Sequence, residues 1–117
     1  MGKESHTVEV RPFRGTVRVE ANGATLASTT RALLLEETGY PRRFYVPEAD
    51  IEAELSPNPR RTHCPFKGDA AYANTSANGL PIEAVAWSYP NPIADVPDLA
   101  GHWCFDPGKT ETVVEEE

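Results

Sequence analysis

The residues with the most reactive side chains are concentrated in one segment, residues 62–68, which reads Thr-His-Cys-Pro-Phe-Lys-Gly. A hydroxyl, an imidazole, a thiol and an amine stand close together there, and Pro65 and Gly68 favour a bent backbone. This composition is typical of a functional site, and it is equally typical of a tight turn. The residue types alone leave both interpretations open.

Cys64 and Lys67 are the candidate catalytic residues of this segment. A cysteine reacts as its thiolate, and a nearby cation lowers the pKa of the thiol, so a turn that folds Lys67 over the sulfur would activate it. His63 is a poor base for Cys64, because adjacent residues of an extended chain point to opposite faces. The alternative, which the sequence favours, is that Cys64 packs as a small buried hydrophobic residue.

The histidines and cysteines do not form a recognisable metal site. The available set is His63, Cys64, His102 and Cys104. Structural zinc sites usually pair their ligands about two to four residues apart around a turn, and an adjacent His-Cys pair does not match. Glycine-rich phosphate-binding loops are missing as well. We therefore expect no metal and no cofactor.

Trp87 and Tyr89 form a second cluster of interest. Two rings at i and i+2 of a strand project to one face, and such rings with polar tips are the usual wall of a small-molecule site. The alternative is core packing, with Pro90 and Pro92 ending the strand. Core packing is favoured for Trp87, whereas Tyr89 stays open because its hydroxyl needs water or a partner.

Short strands must position these residues, since eleven prolines and eight glycines interrupt the chain. Asn22-Gly23 and Asn78-Gly79 each predict a two-residue hairpin turn, because both residues tolerate positive φ. A third hairpin is predicted through the turn at residues 106–108. The paired segments are 16–21 with 24–28, 70–75 with 82–89, and 102–105 with 110–114.

One short helix is predicted near residues 47–55. Pro47 suits a first helical position, Glu48 and Asp50 favour the N-terminal dipole, and Ile51 and Leu55 pair at i, i+4. The remaining pattern is typical of a mainly β single domain. We predict a small β-sandwich or a partly open β-barrel built of hairpins.

Size and charge limit the classes of function. A chain of 117 residues fits one domain spanning residues 1–117, with residues 1–6 and 115–117 expected to fray. The net charge of −7 argues against nucleic acid as a partner, and the pairs at residues 42–43 and 60–61 are interpreted as solvated loop charges. No apolar run suits a membrane span or a secretory signal, so we expect a cytoplasmic protein with free thiols.

The order of several motifs resembles that of the bacterial domain-of-unknown-function 427 family, which some classifications label nucleotidyltransferase-like. These motifs are residues 30–33, 44–47, 62–70, 86–89 and 101–105. The likeness covers residues from about 15 to 114, and Cys104 stands where a small apolar residue is expected. The resemblance implies a compact, mainly β fold and no function. Nucleotidyl transfer calls for metal-binding carboxylates and a phosphate cradle, and neither motif is visible.

The leading hypothesis is a cytosolic domain that binds a small, anionic molecule, with its reaction and its status as an enzyme left open. Trp87 and Tyr89 would form the floor of the pocket, and Lys67 at its mouth would anchor the anion. The other ligand-binding candidates are Tyr45, His63 and Tyr72. The alternative is a non-catalytic protein-interaction module in which residues 64–68 are only a turn. A homodimer is compatible with both, because several strand edges are expected to be exposed.

Overall fold

Ten strands and two single 3-10 turns build residues 6–117, which are the residues that this computed structural model describes. The strands are β1 (Val8–Pro12), β2 (Gly15–Ala21), β3 (Ala24–Thr29), β4 (Leu33–Glu37), β5 (Arg43–Pro47), β6 (Ser56–Cys64), β7 (Gly68–Ala77), β8 (Leu80–Ser88), β9 (His102–Phe105) and β10 (Glu111–Glu116). They form two antiparallel sheets, one ordered β1-β4-β5-β9-β8-β7-β6 and the other β10-β2-β3. The predicted mainly β fold is confirmed as two packed sheets, neither of them closed into a barrel.

Two of the three predicted hairpins are confirmed, and Asn-Gly turns make both of them. Asn22 and Gly23 have φ of 50° and 78° and join β2 to β3. Asn78 and Gly79 have φ of 51° and 81° and join β7 to β8. Positive φ at both central residues gives the turn a twist that matches the flanking strands, and so fixes their register.

The prediction of a third hairpin is wrong. β9 lies between β5 and β8 in the large sheet, whereas β10 pairs with β2 in the small one. The turn at residues 106–110 therefore carries the chain from one sheet to the other. Cys104 and Phe105 are both buried, on opposite faces of β9, so this strand needs a central place that a terminal hairpin would not provide.

The large sheet is apolar on both faces. One face packs on the small sheet through a core that includes Val19, Leu26 and Phe105. The other face carries a second cluster that includes Leu35 and Tyr45. A strand covered on both sides is a rigid support, so side chains on this second face are held in fixed positions.

The predicted helix near residues 47–55 is reduced to one 3-10 turn, Glu48–Asp50. Ile51 forms an isolated β-bridge with Ala27, and the N–H groups of residues 52 and 53 both donate to the carbonyl of Leu26. The backbone N–H groups that a helix would need are therefore hydrogen-bonded to β3, the edge strand of the small sheet. A single turn gains too few internal hydrogen bonds to compete.

The fraying expected at residues 1–6 and 115–117 stays a prediction. Residues 1–5 lie outside the described residues, whereas the His6 ring stacks on Phe66 with centroids 4.0 Å apart. β10 continues through Glu115 and Glu116, which pair with Thr16 and Gly15. None of the helices in residues 6–117 has the length and apolar character needed to cross a membrane.

Gly15 is the glycine whose replacement should most weaken the fold. Its φ is 148°, and an added Cβ would overlap the carbonyl oxygen of Glu115 in β10. We expect Gly15→Ala to lower the free energy of unfolding by about 2–4 kcal/mol through strain and overpacking. Urea denaturation measures this loss in the free energy of unfolding. Gly39→Ala is the control, because Gly39 has φ 84° with open space around it, and should cost only about 1 kcal/mol. Equal losses in the two variants would contradict this account.

Candidate functional site

A buried ion pair between Lys67 and Glu37 organises the region that the sequence singles out. The Lys67 Nζ lies 2.6 Å from Glu37 Oε1, and the two side chains are only 10% and 9% exposed. The other carboxylate oxygen of Glu37 lies 3.0 Å from His6 Nε2. The sequence predicts that the Lys67 ammonium stands at the mouth of a pocket, free to bind an anion. It is instead committed to Glu37, and so is not a free anchor.

This ion pair joins strands that are far apart in the order of the large sheet. Glu37 ends β4, and Lys67 stands in the turn between β6 and β7. In a flat sheet, β4 and β7 would be four spacings of about 4.8 Å, or about 19 Å, apart. The two side chains span part of this distance, and the sheet must curve, with its second face concave, for their charged ends to meet at 2.6 Å.

A cavity of about 360 Å³ lies on this concave face, and we call it the aromatic cleft. Its lining consists of Leu35, Glu37, Tyr40, Pro41, Arg43, Tyr45, Arg60, Cys64, Lys67, Tyr72, Trp87, Tyr89 and Asp106. All four tyrosines of the chain are in this set. Of the ligand-binding candidates from the sequence, every one except His63 lines the cleft.

Strand register explains why the aromatic residues meet. Tyr72 pairs with Trp87, and Trp87 with Cys104, so these three side chains share one face of the sheet. The indole N–H of Trp87 donates to the hydroxyl of Tyr45 at 3.1 Å. The Tyr45 and Tyr89 rings lie 6.4 Å apart, and burial raises the pKa of both hydroxyls above its usual range. The cleft is therefore walled by neutral phenols with fixed positions.

The Tyr89 hydroxyl is available to a ligand. Tyr89 is only 6% exposed, yet its hydroxyl has no hydrogen-bond partner among residues 6–117. Within the same residues, no buried side-chain nitrogen or oxygen lacks a partner. The Tyr89 oxygen must therefore reach the cavity, where it can donate to a bound molecule.

Arg43 and Arg60 are two charged cleft residues that the sequence pattern did not single out as ligand-binding candidates. Neither guanidinium makes a salt bridge with a carboxylate in the described part of the chain, and Arg60 lies 4.7 Å above the Tyr72 ring. Together with Lys67, they give the cleft lining three cationic side chains, whereas its carboxylates are those of Glu37 and Asp106. The i, i+2 spacing of Arg43 and Tyr45 was the available signal, since it puts both on one strand face.

His63 lies apart from the cleft. Its Nδ1 is 2.7 Å from Asp69 Oδ1, and both side chains are well exposed. This position agrees with the expectation that His63 and Cys64 diverge on an extended strand. His63 is therefore not placed to act as a base for Cys64.

The two cysteines are free thiols in different environments. Cys64 is partly buried and lines the cleft, whereas Cys104 is fully buried beneath it. Burial raises the pKa of the Cys104 thiol to about 12. Cys104 is thus a packing residue, and Cys64 is the thiol that a molecule in the cleft would meet.

The Lys67–Glu37 pair should be important for stability. Lys67→Met leaves the Glu37 carboxylate buried without its ammonium, and we expect a loss of about 3–5 kcal/mol in the free energy of unfolding, measured with urea. The double variant Lys67→Met/Glu37→Gln should lose less than the single one. Arg11→Met breaks the exposed Arg11–Glu36 pair and should cost at most about 1 kcal/mol. A Lys67 variant as stable as this control would refute the argument.

Thiol labelling should separate the two cysteines. At about pH 8, iodoacetamide should modify Cys64 in the folded protein and leave Cys104 intact, because a raised pKa keeps the Cys104 thiol protonated until the pH nears 12. Peptide mass spectrometry after a timed reaction reads out both sites, and labelling in denaturant should modify both. Equal labelling in the folded protein would show that Cys104 is not sealed.

Comparison with known proteins places the chain in a family. A search of curated proteins finds no match. Residues 9–116, nearly the whole chain, match the model of a family described as a domain of unknown function, DUF427. The match includes the aromatic cleft and the Lys67–Glu37 pair together with the strands that carry them. The chain belongs to the DUF427 family.

Proposed function

We propose that this domain binds a small organic anion in the aromatic cleft. The observation that carries the proposal is Arg43, a cleft-lining residue with no carboxylate partner among the described residues, on the same face as the Tyr89 hydroxyl, which is also unpartnered and reaches the cavity. Polar groups that reach a cavity and have no partner within the protein mark where a ligand can complete the pairing.

The size and lining of the cleft support a ligand of small-molecule size. A volume of about 360 Å³ falls in the usual range of ligand sites, roughly 300–1,000 Å³. Aromatic walls with a few polar groups are the usual composition of such sites. The excess of cations over carboxylates in the lining contrasts with the net charge of −7 of the whole chain, and it favours a negatively charged ligand.

Binding is better supported than catalysis by a thiol. Cys64 has neither a hydrogen-bonded base nor an ion pair in residues 6–117, and the nearest sequence candidate, His63, faces Asp69. The alternative of a protein-docking face has less support, because Tyr45 and Tyr89 are 1% and 6% exposed and cannot lie flat against a partner. The cytoplasmic location expected from the sequence is part of this proposal.

Substitution of the two neighbouring arginines tests the proposal. Benzoate and phenyl phosphate are titrated against the protein by calorimetry, with benzamide as the uncharged counterpart. Arg43→Gln should weaken binding of both acids roughly tenfold or more, because a charge-assisted hydrogen bond is lost. Arg42→Gln is the matched control: it removes the same charge one residue away, where the guanidinium lies over Phe44 at 5.3 Å. That variant should bind the acids as the wild type does.

Three outcomes would count against the proposal. One is that benzamide binds as tightly as benzoate, which would mean that the negative charge of the ligand does not contribute to binding. Another is an equal loss in the Arg42 and Arg43 variants, which would indicate a diffuse charge effect. The third is that neither acid binds the wild-type protein. Melting temperatures of both variants show that any loss of binding is not a loss of folding.

A further inference from the structure

The two ends of the aromatic cleft differ in chemistry. The register of β5 with β9 pairs Val46 with Trp103, so Arg43 and Asp106 lie together where β5 begins and β9 ends. Tyr72, Trp87 and Cys104 are cross-strand neighbours in one row of the sheet. Arg60 stacks on Tyr72 and so approaches the same side of the cleft. This end of the cleft is charged, and Arg60 is exposed to solvent.

The opposite end of the cleft is closed, and its charged groups, Lys67 and Glu37, are paired with each other. Tyr89 follows the end of β8, and it packs in one cluster with Val96 and Leu99, which are 3% and 0% exposed. The loop that carries these two residues is fastened to the β6–β7 turn, since the N–H of Ile93 donates to the carbonyl of Lys67. The Tyr89 hydroxyl is the polar group that this closed end offers to a ligand.

Aromatic rings line the space between the two ends. Trp87 and Tyr72 lie side by side with centroids 6.5 Å apart, and Tyr45 is fixed to Trp87 by a hydrogen bond. Tyr40, which is 63% exposed, stands at the rim. A flat ring makes the largest contact with such walls, because offset or edge-on packing against several rings is available to it.

We infer, on the basis of the proposed function, that the cleft selects single-ring aromatic acids with a neutral hydrogen-bond acceptor opposite the acid. The acid group lies against Arg43 at the open end, the ring packs on Trp87 and Tyr72, and the acceptor takes the hydrogen of the Tyr89 hydroxyl at the closed end. Para-hydroxy and para-alkoxy substituted benzoates are the simplest members of this class.

The state of Tyr89 agrees with this assignment. Because burial raises the pKa of Tyr89, its hydroxyl keeps its proton at neutral pH and acts as a donor. A ligand that places a second carboxylate at the closed end would have to bury that charge beside apolar Val96 and Leu99 and close to the Glu37 carboxylate, which already holds the Lys67 ammonium. A neutral oxygen avoids this cost.

The test is a thermodynamic cycle on Tyr89 and the ligand's para group. Wild type and Tyr89→Phe are each titrated with 4-hydroxybenzoate and with 4-methylbenzoate, which has nearly the same shape but no acceptor. We expect Tyr89→Phe to weaken 4-hydroxybenzoate roughly five- to tenfold, and to change 4-methylbenzoate by less than about twofold. Comparing the two ligands within one variant removes any general effect of the substitution on folding.

The outcomes separate this inference from the proposed function. If both acids bind and both are weakened by Arg43→Gln, but Tyr89→Phe affects them equally, the inference is wrong and the proposed function stands. That result would also arise if the acid itself lay against Tyr89. If neither acid binds the wild type, both proposals fail. A coupling of about fivefold or more between Tyr89 and the para oxygen supports the inference.

Discussion

The pairing of Lys67 with Glu37 is the contact on which the shape of this protein depends. It holds together two parts of one sheet that the strand order separates widely, and both of its residues line the aromatic cleft. Burying both charges costs solvation free energy, and the short contact offsets that cost only while both partners are present. The second carboxylate oxygen of Glu37 lies 3.0 Å from His6 Nε2, so three segments that are distant in the chain meet at one carboxylate.

Local patterns in the sequence predicted the parts of the fold that local physics decides. The Asn-Gly pairs specify their turns through backbone conformation alone, and the i, i+2 rings of Trp87 and Tyr89 specify a strand face. The prediction of a third hairpin was wrong because Cys104 and Phe105 are buried on opposite faces of β9, which requires a central position for this strand. That demand comes from the assembled sheets, and no turn signal reports it.

Five of the six ligand-binding candidates from the sequence meet in the aromatic cleft, but the charge pairing around them was not predicted. Lys67 was a candidate from the sequence, and it does line the cleft. Its partner Glu37 lies thirty residues earlier in the chain, in an acidic pair whose pattern is typical of solvated surface residues. Arg43 looked like loop charge and lies in a strand beside Tyr45. Which cation is free and which is paired depends on tertiary contacts, and a single sequence does not contain that information.

The two tryptophans lie on opposite faces of the same sheet, and this separation has an optical consequence. Trp87 lines the aromatic cleft and donates to Tyr45, whereas Trp103 packs with the core between the sheets and donates to Glu48. A molecule that enters the cleft changes the surroundings of one indole and leaves the other as an internal reference. The fold therefore carries its own fluorescent reporter of occupancy.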